Sequence, residues 1–161
     1  MLRVVANSKG MAMILVFNND DFKLIDVAYG SSVPRGTPRP MGFPYCYLRG
    51  HDYKGLLDVR EALYISAHGN NFEIGNEGSE DKKYNITAVA LADMLLGQVL
   101  PEGYQGNIYL SCCDSHPTYD AAVKVALAKR HIDYSGTIYG VEGQVAHTVQ
   151  PHGWGGYRTA K

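Results

Sequence analysis

The chain has 161 residues, of which 45% are hydrophobic and 19% charged, with a formal net charge of -1. That length supports a single domain with a sizeable core, and that composition excludes a disordered chain. The near-neutral balance, with basic residues scattered along the chain, excludes the electrostatic footprint of a nucleic-acid or anionic-membrane binder and leaves a protein, a peptide or a small molecule as the expected partner.

In chain order, residues 11–17 are apolar and rich in strand formers, Asn18-Asn19-Asp20-Asp21 reads as a turn, and residues 22–29 read as a second strand. An N-terminal hairpin is the expected result. Residues 30–50 carry Pro34, Pro38, Pro40 and Pro44 and read as a long irregular loop. Ala62-Leu63-Tyr64-Ile65 is a buried strand that stops at Ser66-Ala67-His68-Gly69-Asn70-Asn71. Residues 71–84 are polar and read as another loop. Residues 85–96 have helical spacing, with Ile86, Val89, Ala90, Met94 and Leu95 as the apolar face, Asn85 or Thr87 as cap and Gly97 as stop. Residues 107–111 form a short strand that runs into Cys112-Cys113-Asp114-Ser115. A second helix is expected over residues 117–130, with Ala121, Val125 and Ala128 on its packed face and a basic end that suits the helix dipole. Residues 137–141 form a third strand, and residues 147–161 read as an irregular tail.

From residue 61 onward the order is strand, helix, strand, helix, strand. This alternation predicts an α/β fold with mostly parallel strands and right-handed crossovers. In such sheets function collects beyond the carboxyl ends of the strands. His68 and Cys113 both stand just past such ends.

Three cysteines, two of them adjacent, do not make a disulfide framework. Free thiols point to a reducing compartment. No apolar run has the length of a membrane span, and the N-terminal apolar stretch is too short and interrupted for a signal peptide. A cytoplasmic protein is expected, or one secreted without a cleaved signal. The sequence leaves the oligomeric state open.

Thiol chemistry on an acyl group needs a thiolate, an imidazole to carry protons, and donors for the oxyanion. Cys113 supplies the first and His68 the second. Gly69 lets the backbone approach a substrate carbonyl, so its N–H and that of Cys113 are the candidate oxyanion hole. Cys112 faces the other way and is assigned to the core.

Ala62-Leu63-Tyr64-Ile65-Ser66-Ala67-His68-Gly69 resembles the strand-then-His-Gly motif of clan CD cysteine peptidases, and Ile108-Tyr109-Leu110-Ser111-Cys112-Cys113-Asp114-Ser115 resembles their strand-then-Cys motif. Legumains, caspases, clostripain-like enzymes and toxin self-processing domains share this pair. The resemblance spans roughly residues 61–142. It implies a caspase–hemoglobinase-like three-layer sandwich, with His68 as general acid/base and Cys113 as nucleophile, in a self-processing domain or a toxin or effector peptidase. It also implies that Ser111, two before the nucleophile, lines the primary specificity pocket. Ser111 is neutral and small, which favours cleavage after a small or apolar residue. Glu142, in the stretch after the third strand, is the one carboxylate that would restore a basic preference. No basic cluster matches the inositol polyphosphate site of the toxin domains, so no cofactor is carried over.

Other readings stand beside this one. Cys112, Cys113 and His116, with His131, His147 and His152, would be the ligands of a metal site, although their spacing is not the separated-pair pattern of structural zinc, and no metal is expected. Asp114 is the expected cap of the second helix. Asn70 and Asn71 either orient substrate or serve the turn. Trp154 is read as an anchor for the tail. A non-catalytic binding module on the same fold is the alternative to an enzyme.

Overall fold

The computed structural model describes residues 12–17, 23–24, 26–27, 45–47, 52–76, 84–131, 133–145 and 149–161. The short apolar runs become strands: β1 (Met13–Val16), β2 (Tyr45–Tyr47), β3 (Leu63–Ser66), β4 (His68–Gly69), β5 (Glu73–Asn76), β6 (Tyr84–Thr87), β7 (Ile108–Ser111), β8 (Ile138–Val141) and β9 (Tyr157–Thr159). Helix α1 (Ala88–Met94) precedes β7 and helix α2 (Tyr119–Arg130) precedes β8, and Leu95–Val99 extends α1 as a π-helical turn. Six strands form one sheet in the order β2-β1-β3-β7-β8-β9. The first five run parallel and β9 is antiparallel to β8. The fold is therefore mixed α/β with a mostly parallel sheet, as the strand–helix alternation predicts.

β1, β3 and β7 are buried along their whole length. Strands covered on both faces carry near-continuous apolar runs, which is why these three read so clearly in the sequence. Leu15, Leu63, Ile65, Ile108 and Leu110 pack on the side of α1 and α2, against Leu91, Ala92, Val123 and Leu127. Each such side chain contributes about 1.5–3 kcal/mol when fully buried. The opposite side carries Ile14, Val16, Tyr64 and Tyr109, covered by Leu24 and Val149. Register puts Tyr64 beside Tyr109 and Tyr109 beside Tyr139. Their rings stack at 4.5 and 4.7 Å. Tyr157 meets Tyr109 edge-on at 5.0 Å, and the His152 N–H donates to the Tyr64 hydroxyl at 2.8 Å. The C-terminal segment is thus fastened over the tyrosine side. Trp154 packs edge-on against Tyr157, within the same C-terminal segment.

Several expectations need correction. The N-terminal hairpin does not form: β1 sits between two parallel neighbours, and residues 23–24 and 26–27 are helical. Leu24 is buried and Val27 packs beside it, whereas Lys23 and Asp26 are exposed. That spacing of three suits a helix, while a strand would put Leu24 and Asp26 on one face. The expected loop at 30–50 contains β2, and its other residues lie outside the described ones. The expected loop at 71–84 contains β5 and the start of β6, which build a small antiparallel sheet in the order β4-β5-β6. The tail is not wholly irregular, because β9 pairs with β8.

Both helix faces are rotated from the expected ones. Val89 and Val125 are each 51% exposed, and Ala90 and Ala128 face solvent. Ala88, Leu91 and Ala92 of α1, and Tyr119, Val123, Ala126 and Leu127 of α2, carry the packing. Thr87 does cap α1, its Oγ1 accepting from the Ala90 N–H at 3.3 Å. Gly97 lies within the π turn, and the helical backbone runs past it to Val99. No helix among the described residues is long and apolar enough to cross a membrane.

Candidate active site

The two sequence motifs meet because β3 and β7 are parallel neighbours in register. Their last paired residues are Ser66 and Ser111. Two residues further along each chain stand His68 and Cys113. Ala67 and Cys112, between, both turn into the helix-side core. His68 and Cys113 are both half-buried, and the chain bends at Cys112 and turns at Cys113 as it leaves β7.

β4 holds the second residue of the His-Gly motif against the cysteine. A Cβ placed on Gly69 would lie 2.6 Å from the Cys113 carbonyl oxygen and 2.9 Å from the Cys112 Cβ. Only glycine allows this approach, so the backbone after His68 rests directly on the Cys112–Cys113 peptide. The Asn70 N–H donates to the Glu73 carbonyl at 3.1 Å. Bonded and non-bonded pairs alternate in an antiparallel ladder, so the Gly69–Ile74 pair is non-bonded and the Gly69 N–H faces away from β5. The Cys113 N–H makes no backbone hydrogen bond among the described residues. Two donors without backbone partners therefore stand where the motifs touch.

The cysteine is held from three directions. Ser115, fully buried, accepts from the Val141 N–H at 2.9 Å and donates to the Cys112 carbonyl at 2.9 Å. The His116 N–H donates to the Val141 carbonyl at 3.0 Å. His116 Nδ1 donates to the fully buried Asp120 carboxylate at 2.6 Å. Gly140 makes room for that carboxylate, since a Cβ there would lie 2.8 Å from Asp120 Oδ2. Asp114 adopts a left-handed φ of 51°, a conformation that Asp tolerates better than most residues. Its N–H donates to the Gly143 carbonyl at 2.8 Å, and its Oδ1 accepts from the Gly143 N–H at 3.0 Å. The Val145 N–H points at the Cys113 sulfur, 3.4 Å away.

The adjacent cysteines have different environments. Both are free thiols. Cys112 has no exposed surface and its sulfur donates to the Ile65 carbonyl at 3.6 Å. Burial pushes its thiol pKa far above the ordinary value, so it stays protonated and inert. Its assignment to the core agrees with this position.

The remaining candidates fare unevenly. Ser111 is 3% exposed and lies beside the Tyr157 hydroxyl, so it does not reach an open surface. Glu142 is exposed, directly after β8. Asn70 serves the turn: its Oδ1 accepts from the Phe72 N–H at 2.8 Å and the Glu73 N–H at 3.0 Å. Asp114 does not cap α2, whose N-cap is Thr118 with no side-chain bond. The metal ligand set does not assemble. Cys112 points into the core, His116 is engaged by Asp120, and His131 Nε2 bonds the Tyr104 carbonyl at 3.0 Å. His152 meets the Tyr109 hydroxyl, and His147 lies outside the described residues. No cluster of three or more metal-ligating side chains occurs among the described residues.

Sequence reasoning missed Ser115, the His116–Asp120 pair and the Asp114–Gly143 contact. The i, i+4 spacing of His116 and Asp120 was the one available signal. A scan against protein-family models finds no match, and a search of curated proteins finds no significant one.

Proposed function

We propose that this protein is a cysteine peptidase of the clan CD type, acting on a protein or peptide substrate or on its own parent chain. The observation that carries this reading is the register of β3 and β7, which sends the His-Gly and Cys motifs off the same sheet edge and packs Gly69 against Cys113. On this reading the layers are those of a caspase–hemoglobinase-like sandwich.

The chemistry follows from the groups present. The Cys113 thiolate attacks the scissile carbonyl carbon, and the N–H groups of Gly69 and Cys113 bind the resulting oxyanion. As the tetrahedral intermediate collapses, the C–N bond breaks and His68 gives its proton to the leaving amine. The thioester that remains is hydrolysed by water, which loses a proton to His68 as it attacks. Collapse of the second intermediate frees the acid and restores the thiolate. The Val145 N–H supports the charged sulfur, since a donor to the ionised form favours it.

On this reading an apolar side chain precedes the cleaved bond, but without a direct contact from Ser111, which is buried beside Tyr157. Glu142 is the competing determinant. A peptide library incubated with wild type, Cys113→Ala and His68→Ala tests the proposal. Cleavage by wild type alone is expected. Equal cleavage by wild type and Cys113→Ala would overturn it, and a biological effect that survives Cys113→Ala would favour the binding-module alternative.

A further inference from the structure

We propose that Asp114 is a positioning residue that clamps the loop after β8 and thereby holds the Val145 N–H on the Cys113 sulfur. The inference rests on Cys113 as the nucleophile and adds what tunes its thiol. Two reciprocal bonds, Asp114 N–H to the Gly143 carbonyl and Gly143 N–H to Asp114 Oδ1, join segments 29 residues apart. Both partners are left-handed, with φ of 51° at Asp114 and 82° at Gly143. The chain thus turns sharply directly after the cysteine. Two residues beyond Gly143, Val145 brings its N–H to the Cys113 sulfur.

A donor on sulfur stabilises the thiolate more than the thiol. Releasing the clamp withdraws the donor and lowers the reactive fraction. A carboxylate next to the cysteine in the chain acts in the opposite sense when ionised. The test therefore compares two variants that both lack the charge. Asp114→Asn keeps the side-chain acceptor and tolerates the left-handed backbone, whereas Asp114→Gly keeps the backbone and loses the acceptor.

The readout is the rate at which iodoacetamide modifies Cys113 at neutral pH, assigned by peptide mass mapping, with thermal melting in parallel. Asp114→Asn is expected to react at least as fast as wild type. Asp114→Gly is expected to react about tenfold more slowly than Asp114→Asn, what a hydrogen bond to a charged group is worth. Gly143→Ala forces a side chain onto a left-handed backbone, breaks the clamp from the other side, and is expected to slow Cys113 likewise.

If Asp114→Gly reacts as fast as Asp114→Asn, or faster, the clamp is wrong. A purely structural role would lower the melting temperature of Asp114→Gly without slowing the thiol, and that result also overturns the proposal. Peptide cleavage separates the two readings. A slowed thiol with no cleavage by wild type defeats the peptidase alone, and unchanged thiol rates with intact cleavage defeat the clamp alone.

Discussion

The two faces of the central sheet are built differently. The helix side is aliphatic, with Leu15, Leu63, Ile65 and Leu110 packed under α1 and α2. The other side sets Ile14 and Val16 of β1 beside an aromatic row on the strands that follow. Tyr64, Tyr109 and Tyr139 stack across three strands, and Ser66 and Ser111 lie buried further along two of them. One residue decides which environment a side chain meets. Cys112 falls in the helix-side core and is fully buried, while Cys113, in the turn that follows, is half-buried. On the proposed function, stability rests on the helix-side core and chemistry on the turn that directly follows it.

Substitutions test this division, the largest effect first. Cys113→Ala is expected to reduce peptide cleavage by at least about a thousandfold, with the melting temperature little changed. Leu110→Ala, on the aliphatic face of the same strand, does the reverse: denaturant unfolding should show a loss of about 2–5 kcal/mol from the cavity left behind. Gly69→Ala should affect both properties, because the added methyl meets the Cys113 carbonyl at 2.6 Å. A loss of about 1–3 kcal/mol and a lowered kcat are expected from overpacking. Glu142→Gln sharpens the specificity question: the ratio of cleavage after Leu to cleavage after Arg is expected to stay within about threefold, under 1 kcal/mol by the usual conversion. A larger rise would make Glu142 the specificity carboxylate. Val125→Ala has the smallest effect, within about 0.5 kcal/mol, because that side chain is half exposed on α2.

How much was legible in the sequence follows from the same division. β1, β3 and β7 were readable because strands buried on both faces need unbroken apolar runs. Their ends were readable too, and with them His68 and Cys113. The small sheet β4-β5-β6 was not, because Gly69, Gly75 and Asn76 carry no strand signal and pair through tertiary contact. The helix faces were misread where alanine and valine dominate. Val89 and Val125 fit an apolar stripe in periodicity, yet Leu91 and Tyr119 reach the sheet. Residues 22–29 have the composition of a strand, yet Leu24 and Val27 bury at a helical spacing of three. The supports around Cys113 were hidden for a different reason. Ser115 to Val141 and Asp114 to Gly143 are contacts between distant segments, and a left-handed Asp leaves no trace in composition.

The central claim is that His68 and Cys113 act together on a peptide carbonyl. A short apolar peptide ending in an acyloxymethyl ketone, followed by intact-mass and peptide-mapping spectrometry, tests it most directly. The account predicts one adduct per chain, on Cys113, with Cys112 unlabelled and with labelling strongly reduced in His68→Ala. Equal labelling of wild type and His68→Ala, or an adduct on any residue other than Cys113, would contradict it.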